Sequence, residues 1–318
     1  MSAGVKVGLY SITYLGIWYR GGALSLAEVF DQARRLGYSG VEIDGKRPHG
    51  NPMDIDQRDR QEIRAIAADR GLDIPAVAAN NDFSSPVPEY RECQLLMVRE
   101  LISLARDLGS PVVRLFLAWP GVTYRDGIAS YDIARRRWAE IERDTTRHEI
   151  WDNARALFRE AAGIAAAEGV TLALQNHGPV IRHHRDVIDM VNEVDSPAFQ
   201  ICLDAPLLAD QSDAAVRAAV AEVGSRQVLS HFGGEYVRTA DGLVQQREME
   251  FGAPPVNYPT FVDALRESGY DGYISYEFCH RAQGARHELQ GREYVDEQTK
   301  LAHEYLNSLL PVPIGASS

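Results

Sequence analysis

The sequence predicts an α/β protein built as a single (β/α)8 TIM barrel, and three observations predict it. Eight short apolar runs alternate with longer stretches whose apolar residues recur at helical spacing. The short runs are almost continuously apolar, as parallel strands covered on both faces require. Several helical stretches stop immediately before a glycine, the residue that most easily takes the left-handed conformation ending a helix. The structural alternative is an open doubly wound sheet. No GxGxxG or GxxxxGK[ST] motif follows the first run, so its nucleotide-binding version has no signature here.

In chain order, strands are expected at residues 5–9, 40–43, 74–77, 112–117, 170–174, 199–203, 227–230 and 273–276. Helices are expected at 24–36 before Gly37, 58–70 before Gly71, 89–108 before Gly109, 151–168 before Gly169 and 259–268 before Gly269. Two connections, 118–149 and 231–257, are long enough to be lids, binding loops or contact surfaces. A third extension follows Glu277 and carries HRAQGARHELQGREY. The barrel is expected to span residues 1–310, with 311–318 (PVPIGASS) as a flexible tail.

The chain has 318 residues, 33 Lys+Arg against 45 Asp+Glu, and a formal net charge of −12. That length suits one large barrel with added loops. The acidic balance argues against a partner bound mainly through phosphate neutralisation, such as nucleic acid, while leaving room for a local basic pocket for a small anion. Cys93, Cys202 and Cys279 form no CxxC pair and no disulfide framework, which fits a reducing cytoplasm. No signal peptide is read at the N-terminus, and no run approaches the roughly 18 apolar residues of a membrane span. A cytoplasmic protein with neither membrane nor nucleic-acid partner is expected.

In a barrel of this kind, function sits where the strands end. Four successive candidate strands end in polar residues: Gln175 in TLALQNHGP, Asp204 in FQICLDAP, His231 in QVLSHFGG and Glu277 in YISYEFCH. An amide oxygen, two carboxylates and an imidazole suit a divalent ion, Mn2+ first, with Mg2+ or Co2+ as alternatives. No cysteine stands at a matching strand end, which argues against structural zinc. Taken singly, Asp204 could cap a helix, His231 could be hydrogen-bonded core, and Gln175 and Glu277 could serve a buried polar network. Four such residues at four consecutive strand ends favour the metal reading.

The pieces GVEID (40–44), LALQNH (172–177), CLDAP (202–206), LSHFGG (229–234) and NYPTFVDALRESGYDGYISYE (257–277) extend the pattern over nearly the whole chain. On these pieces the chain resembles the xylose-isomerase-like barrel family of sugar isomerases and epimerases. The resemblance implies Gln175, Asp204, His231 and Glu277 as metal ligands. It also implies Glu277 as an acid/base. Ketose epimerases of that family place Glu where this chain has Gln175, and a Gln cannot exchange protons near neutral pH. His177 is therefore a candidate base, or else a residue that orients its loop.

Other positions are candidates for substrate contact. Glu42 is followed by Lys46 and His49 in GVEIDGKRPHGNP, a cluster that could bind sugar hydroxyls or could be a solvated loop. Arg114 interrupts an apolar strand and needs a partner if buried, with Glu42 in reach. Trp119 and Trp151 could wall a sugar or an aromatic aglycone, or simply pack. His280 and Arg281 stand near the expected mouth. The Gln175 departure favours lyase chemistry on a 3-oxo-glycoside, as the resemblance implies for the C-glycoside deglycosidase large subunit and inosose dehydratase branches. The first of these works with a small β-rich partner, so an oligomer, with or without such a subunit, is expected. The alternative is a sugar isomerase or 3-epimerase. An apurinic endonuclease or a non-catalytic sugar-binding barrel is remote.

Overall fold

The structure is a computed structural model that describes residues 4–119, 121–248, 255–284 and 286–310. Its elements begin with β1 (Lys6–Tyr10), α1 (Leu26–Leu36), β2 (Gly40–Asp44), α2 (Gln57–Asp69), β3 (Ala76–Ala78), α3 (Pro88–Leu108) and β4 (Val112–Leu115). A hairpin follows, β5 (Thr123–Arg125) and β6 (Ile128–Ser130), and then α4 (Asp132–Asp144) and α5 (Arg147–Glu168). The second half runs β7 (Thr171–Gln175), α6 (His184–Val194), β8 (Phe199–Cys202), α7 (Asp213–Val223) and β9 (Gln227–Phe232). A second hairpin, β10 (Tyr236–Arg238) and β11 (Val244–Gln246), precedes α8 (Tyr258–Glu267), β12 (Tyr273–Tyr276) and α9 (Arg292–Leu309).

Eight strands close the barrel in the order β1-β12-β9-β8-β7-β4-β3-β2, every pair parallel. The expected (β/α)8 architecture is thus present as one barrel. Three expected helix ends are met, with Gly37, Gly109 and Gly169 capping their helices at φ 88°, 72° and 68°, whereas α2 and α8 end one residue early and are capped by Arg70 and Ser268. Helix starts differ from the periodicity because side chains set them. Ser25 forms a reciprocal capping box with Glu28, so α1 starts at Leu26. Thr146 does the same with Glu149, so α5 starts at Arg147 and not at 151. The two long connections carry structure of their own, the first a hairpin and a helix, the second a hairpin. The segment after Glu277 is irregular before α9, pinned by a bridge between Gln283 and Leu289. The expected tail, 311–318, lies outside the described residues.

The inside of the barrel positions the site. Ala76, Val112, Ala173, Cys202, Leu229 and Tyr273, each from a different barrel strand, form a buried cluster apart from the main core. Side chains on a strand alternate sides, so the residue two further on projects the same way. Two steps beyond this plug stand Arg114, Gln175, Asp204 and His231. A polar layer therefore lies directly on the plug, toward the strands' C-terminal ends.

Candidate functional site

Gln175, Asp204 and His231 meet in that layer, all nearly fully buried. His231 Nδ1 lies 3.1 Å from Asp204 Oδ2, and Asp204 Oδ1 accepts the His231 backbone N–H at 2.7 Å. Gln175 Nε2 donates to Asp204 Oδ2 and lies 3.4 Å from His231 Nδ1. Asn176 holds Asp204 by its backbone: its Oδ1 accepts the Asp204 N–H at 2.8 Å, and its Nδ2 donates to the Asp204 carbonyl at 3.2 Å. On the far side of the imidazole, Glu42 oxygens stand 2.9 and 3.0 Å from Nε2. His231 is thus fixed between two carboxylates, the carboxylate–histidine arrangement that sets a metal ligand's orientation and basicity.

Charge follows geometry. Burial alone would push the His231 pKa down, but Glu42 and Asp204 carry it well above its ordinary value. Burial works against the Asp204 carboxylate, yet His231 and the Gln175 amide hold its pKa below the usual value. Glu277 is different. Burial pushes its carboxyl up to about 7, and His231 and Arg114 only partly offset this. Glu277 lies outside the tight cluster and lines a cavity of about 720 Å³ together with His177, Asp204, Tyr258, Cys279 and His280. That volume is in the range that takes a drug-sized ligand. His177 Nδ1 is 2.6 Å from the Gly178 carbonyl, so Nδ1 carries the proton and Nε2 is left as the basic nitrogen. Burial lowers its pKa, the Gly178 hydrogen bond notwithstanding.

The donor set fits a divalent cation. Gln175 Oε1 is buried without a hydrogen-bond partner, a costly state for a carbonyl oxygen. Turning the amide over would present that oxygen where Nε2 now meets Asp204 and His231. Of the four expected ligands, Gln175, Asp204 and His231 would meet an ion in this layer, and Glu277 faces it from the adjoining cavity that Asp204 also lines.

Several expectations are corrected. A thiol does belong to the cluster: Cys202 Sγ lies 3.4 Å from Asp204 Oδ1 and 3.5 Å from His231 Nδ1. Cys202 precedes Asp204 by two, so strand alternation turns both inward, a signal missed by reading strand ends alone. Arg114 is not paired with Glu42, whose carboxylate is taken by His231. The Arg114 guanidinium instead donates to Tyr10 Oη at 2.8 Å and to the Ala79 carbonyl at 3.2 Å, and lies over the Phe116 ring. It makes no ion pair among the described residues.

The Lys46–His49 cluster spends its groups locally. His49 is buried with Nε2 2.9 Å from the Leu24 carbonyl, and Lys46 Nζ is 3.5 Å from Asp44 Oδ2. Trp119 packs against Phe116 and His177 and so braces the cavity wall. Trp151 donates to Glu193 on α6, away from the mouth. His280 and Arg281 line a second cavity of about 490 Å³, which has Glu235, Arg247 and His280 in common with the lining of the first. Glu235, buried and unforeseen, accepts from Arg247 at 2.7 Å and from the Tyr294 hydroxyl at 2.5 Å. It ties the end of the β10–β11 hairpin to α9.

Fold and site together define a parallel barrel with a buried polar cluster at its C-terminal end. Residues 30–296 match the family model described as Xylose isomerase-like TIM barrel, and the chain belongs to that family. No curated protein matches the sequence. Among solved structures, D-psicose 3-epimerase with D-tagatose from Clostridium cellulolyticum H10 superposes with a TM-score of 0.70 at 17% identity, over 97% of this chain and 100% of that one. L-ribulose 3-epimerase gives 0.64 at 18% identity, over 96% and 93%. The 3-keto-D-glucoside 4-epimerase from E. coli gives 0.64 at 16%, over 94% and 99%. At these identities the likeness is one of fold. No helix among the described residues is long and apolar enough to cross a membrane.

Proposed function

We propose that the chain is a divalent-cation-dependent sugar isomerase or epimerase that removes a proton from the carbon next to a carbonyl. The observation that carries this reading is the meeting of Gln175, Asp204 and His231 beside a cavity that Glu277 also lines. A cation bound there would polarise the substrate's carbonyl and hydroxyl oxygens and favour enediolate formation. Mn2+, Mg2+ and Co2+ all remain compatible with that role.

The chain's own groups handle the proton. A carboxyl pushed to about 7 can take up and return a proton near neutral pH, which suits Glu277 as the acid/base. Gln175 cannot share that work. His177 lines the same cavity with Nε2 as its basic nitrogen, and serves as the second group. Removal by one group and return by the other inverts the carbon between them. Glu277 alone suffices for a shift of the carbonyl along one face.

The relatives' names, D-psicose 3-epimerase, L-ribulose 3-epimerase and 3-keto-D-glucoside 4-epimerase, support this chemistry over the lyase expectation. The last also keeps an oxo-glycoside within the substrate class, and the second cavity offers room for its substituent. The test is NMR in D2O with cation-loaded protein and D-psicose, L-ribulose and a 3-keto-glucoside. Deuterium at a carbon next to the carbonyl, with a new epimer or isomer, is expected, and Glu277→Gln should stop it. Absence of exchange in all three sugars would overturn the reading. Release of the substituent without exchange into recovered substrate would return the lyase in its place.

A further inference from the structure

The second cavity, about 490 Å³, enters the reading above only as room for a substituent. Three connections build it: the start of α4, the flanks of the β10–β11 hairpin, and the segment after Glu277. Glu235, Arg247, Glu248 and His280 line both cavities, so the two lie side by side. Glu235 is the fixed point of the shared lining, only 3% exposed. Its Oε2 takes Arg247 at 2.7 Å and the Tyr294 hydroxyl at 2.5 Å. Among the described residues its Oε1 meets only His280 Nε2, at 3.3 Å, and so keeps capacity to accept.

The chemistry of the lining selects among ligands. Three arginines, Arg135, Arg247 and Arg281, stand with three acids, Asp132, Glu235 and Glu248. Their formal charges cancel, so the cavity is no basin for an anion. Nor does it offer an open aromatic platform. The rings of Trp18 and Tyr131 stack on each other at 5.4 Å and 25°, Trp18 is 1% exposed, and Trp119 closes on Tyr131 at 5.9 Å. Asp132, Arg135, Arg281, Gln283 and His287, by contrast, make no side-chain hydrogen bond or ion pair among the described residues. Donors and acceptors mixed and unspent in this way suit hydroxyl groups, each of which both donates and accepts.

We propose that the second cavity is a subsite for a second sugar ring, linked by a glycosidic bond to the sugar that loses its proton in the first. The substrate class is then an oxo-glycoside whose substituent is itself a neutral carbohydrate, in place of a free ketose, an aryl glycoside or an acidic one. The volume lies within the about 300–1,000 Å³ that ligand pockets span. Arg135 and Gln283 donate to ring hydroxyls, Asp132 accepts from them, and Glu235 accepts through Oε1 between the two rings. These side chains bind and orient, and none of them moves the proton. The proposal rests on the reading that the first cavity enolises a sugar. The rival is a rim of solvated side chains that binds nothing.

The experiment compares substrates that differ only in the group on the anomeric oxygen. They are the 3-keto forms of methyl, phenyl and carboxymethyl glucoside, and of maltose and cellobiose oxidised on the non-reducing ring. Deuterium exchange next to the carbonyl is followed in D2O with cation-loaded protein. At least one disaccharide is expected to exceed the methyl glucoside in kcat/KM by about 10-fold or more, through a lower KM, the worth of one hydrogen bond to a charged group. The Arg135→Ala/Gln283→Ala double variant should lose that gain. Equal values across the panel, a larger gain for the phenyl or carboxymethyl glucoside, or a gain that survives in the double variant overturns the proposal. Saturation-transfer NMR with unoxidised maltose and cellobiose needs no turnover. Saturation should reach both rings in the wild type and leave the reducing ring in the double variant. Saturation confined to the non-reducing ring, or absent, overturns the subsite even where exchange proceeds. Both rings saturated, with no exchange in any sugar, overturns the enolisation reading and leaves the second-ring subsite standing.

Discussion

Two stretches of this chain look equally rich in chemistry on paper. One is the loop around Lys46–His49. The other is the scattered set Gln175, Asp204 and His231. In the fold they behave in opposite ways. The loop residues are neighbours in sequence but turn to separate partners: His49 to the Leu24 carbonyl, Lys46 to Asp44, and Arg47 to Asp54 at 2.6 and 2.7 Å. The scattered residues come from different strands, and the barrel forces them together over an apolar plug. Each set leaves one buried atom without a hydrogen-bond partner, His49 Nδ1 in the loop and Gln175 Oε1 in the scattered set. Polar groups close in sequence tend to find local partners. Groups that tertiary structure brings together from separate strands, beside a cavity, are better candidates for ligand binding.

The sharpest way to break this contrast is Asp204→Ala. Loss of detectable Co2+ or Mn2+ binding by calorimetry is expected. The metal-free protein should also lose about 3 kcal/mol, the low end for breaking a buried charge pair, since Glu42 still faces His231. Retained affinity would mean that the convergence has no cation role. Glu42→Gln comes next. It removes the carboxylate behind His231 Nε2 without touching the side that faces Asp204. Calorimetry should show cation affinity reduced about 10- to 100-fold.

How much of this was legible in the sequence follows from the same contrast. The barrel was readable because each strand and helix carries its own signal: an apolar run, a helical repeat, a glycine at φ near 70–90°. The strand-end residues Gln175, Asp204 and His231 were readable because barrel topology makes strand ends meet. Partner choice was not. Arg114 and Glu42 have opposite charges and lie in the same barrel, yet Glu42 goes to His231 and Arg114 to a tyrosine hydroxyl. Cys202 was hidden because cysteine in an apolar strand looks like core, and only its inward phase, shared with Asp204, distinguishes it. Glu235 gave no signal at all. Its partners come from a hairpin end and a distant helix.

Glu277 sharpens the comparison from the other side, as a carboxylate near the cluster that need not belong to it. Glu277→Gln should change cation affinity by less than Glu42→Gln does. Its effect should show in pH dependence. Burial raises the folded-state pKa from 4.5 to about 7, so the folded protein binds this proton more tightly than the unfolded chain. The stability it contributes is full below about pH 4.5 and is lost as pH rises through 7. Urea midpoints of metal-free protein should therefore fall across that window more steeply for wild type than for Glu277→Gln. Parallel curves would show that the carboxyl is already ionised, and would remove it as a neutral-pH acid.

The smallest effect on cation affinity is expected at His49, and this makes it the most direct check on the loop half of the comparison. His49→Ala removes the partner of the buried Leu24 carbonyl, a loss worth about 1–3 kcal/mol when the group stays dry. That cost should appear in urea unfolding. No His49 atom touches Gln175, Asp204 or His231 among the described contacts. Calorimetry should accordingly give the same Co2+ affinity as wild type, within about twofold, the few tenths of a kcal/mol over which distant sites act independently. Lower stability with unchanged affinity would assign His49 to the scaffold. A parallel fall in both would join the loop to the site, and polar groups clustered in sequence could then no longer be set aside when a site is sought.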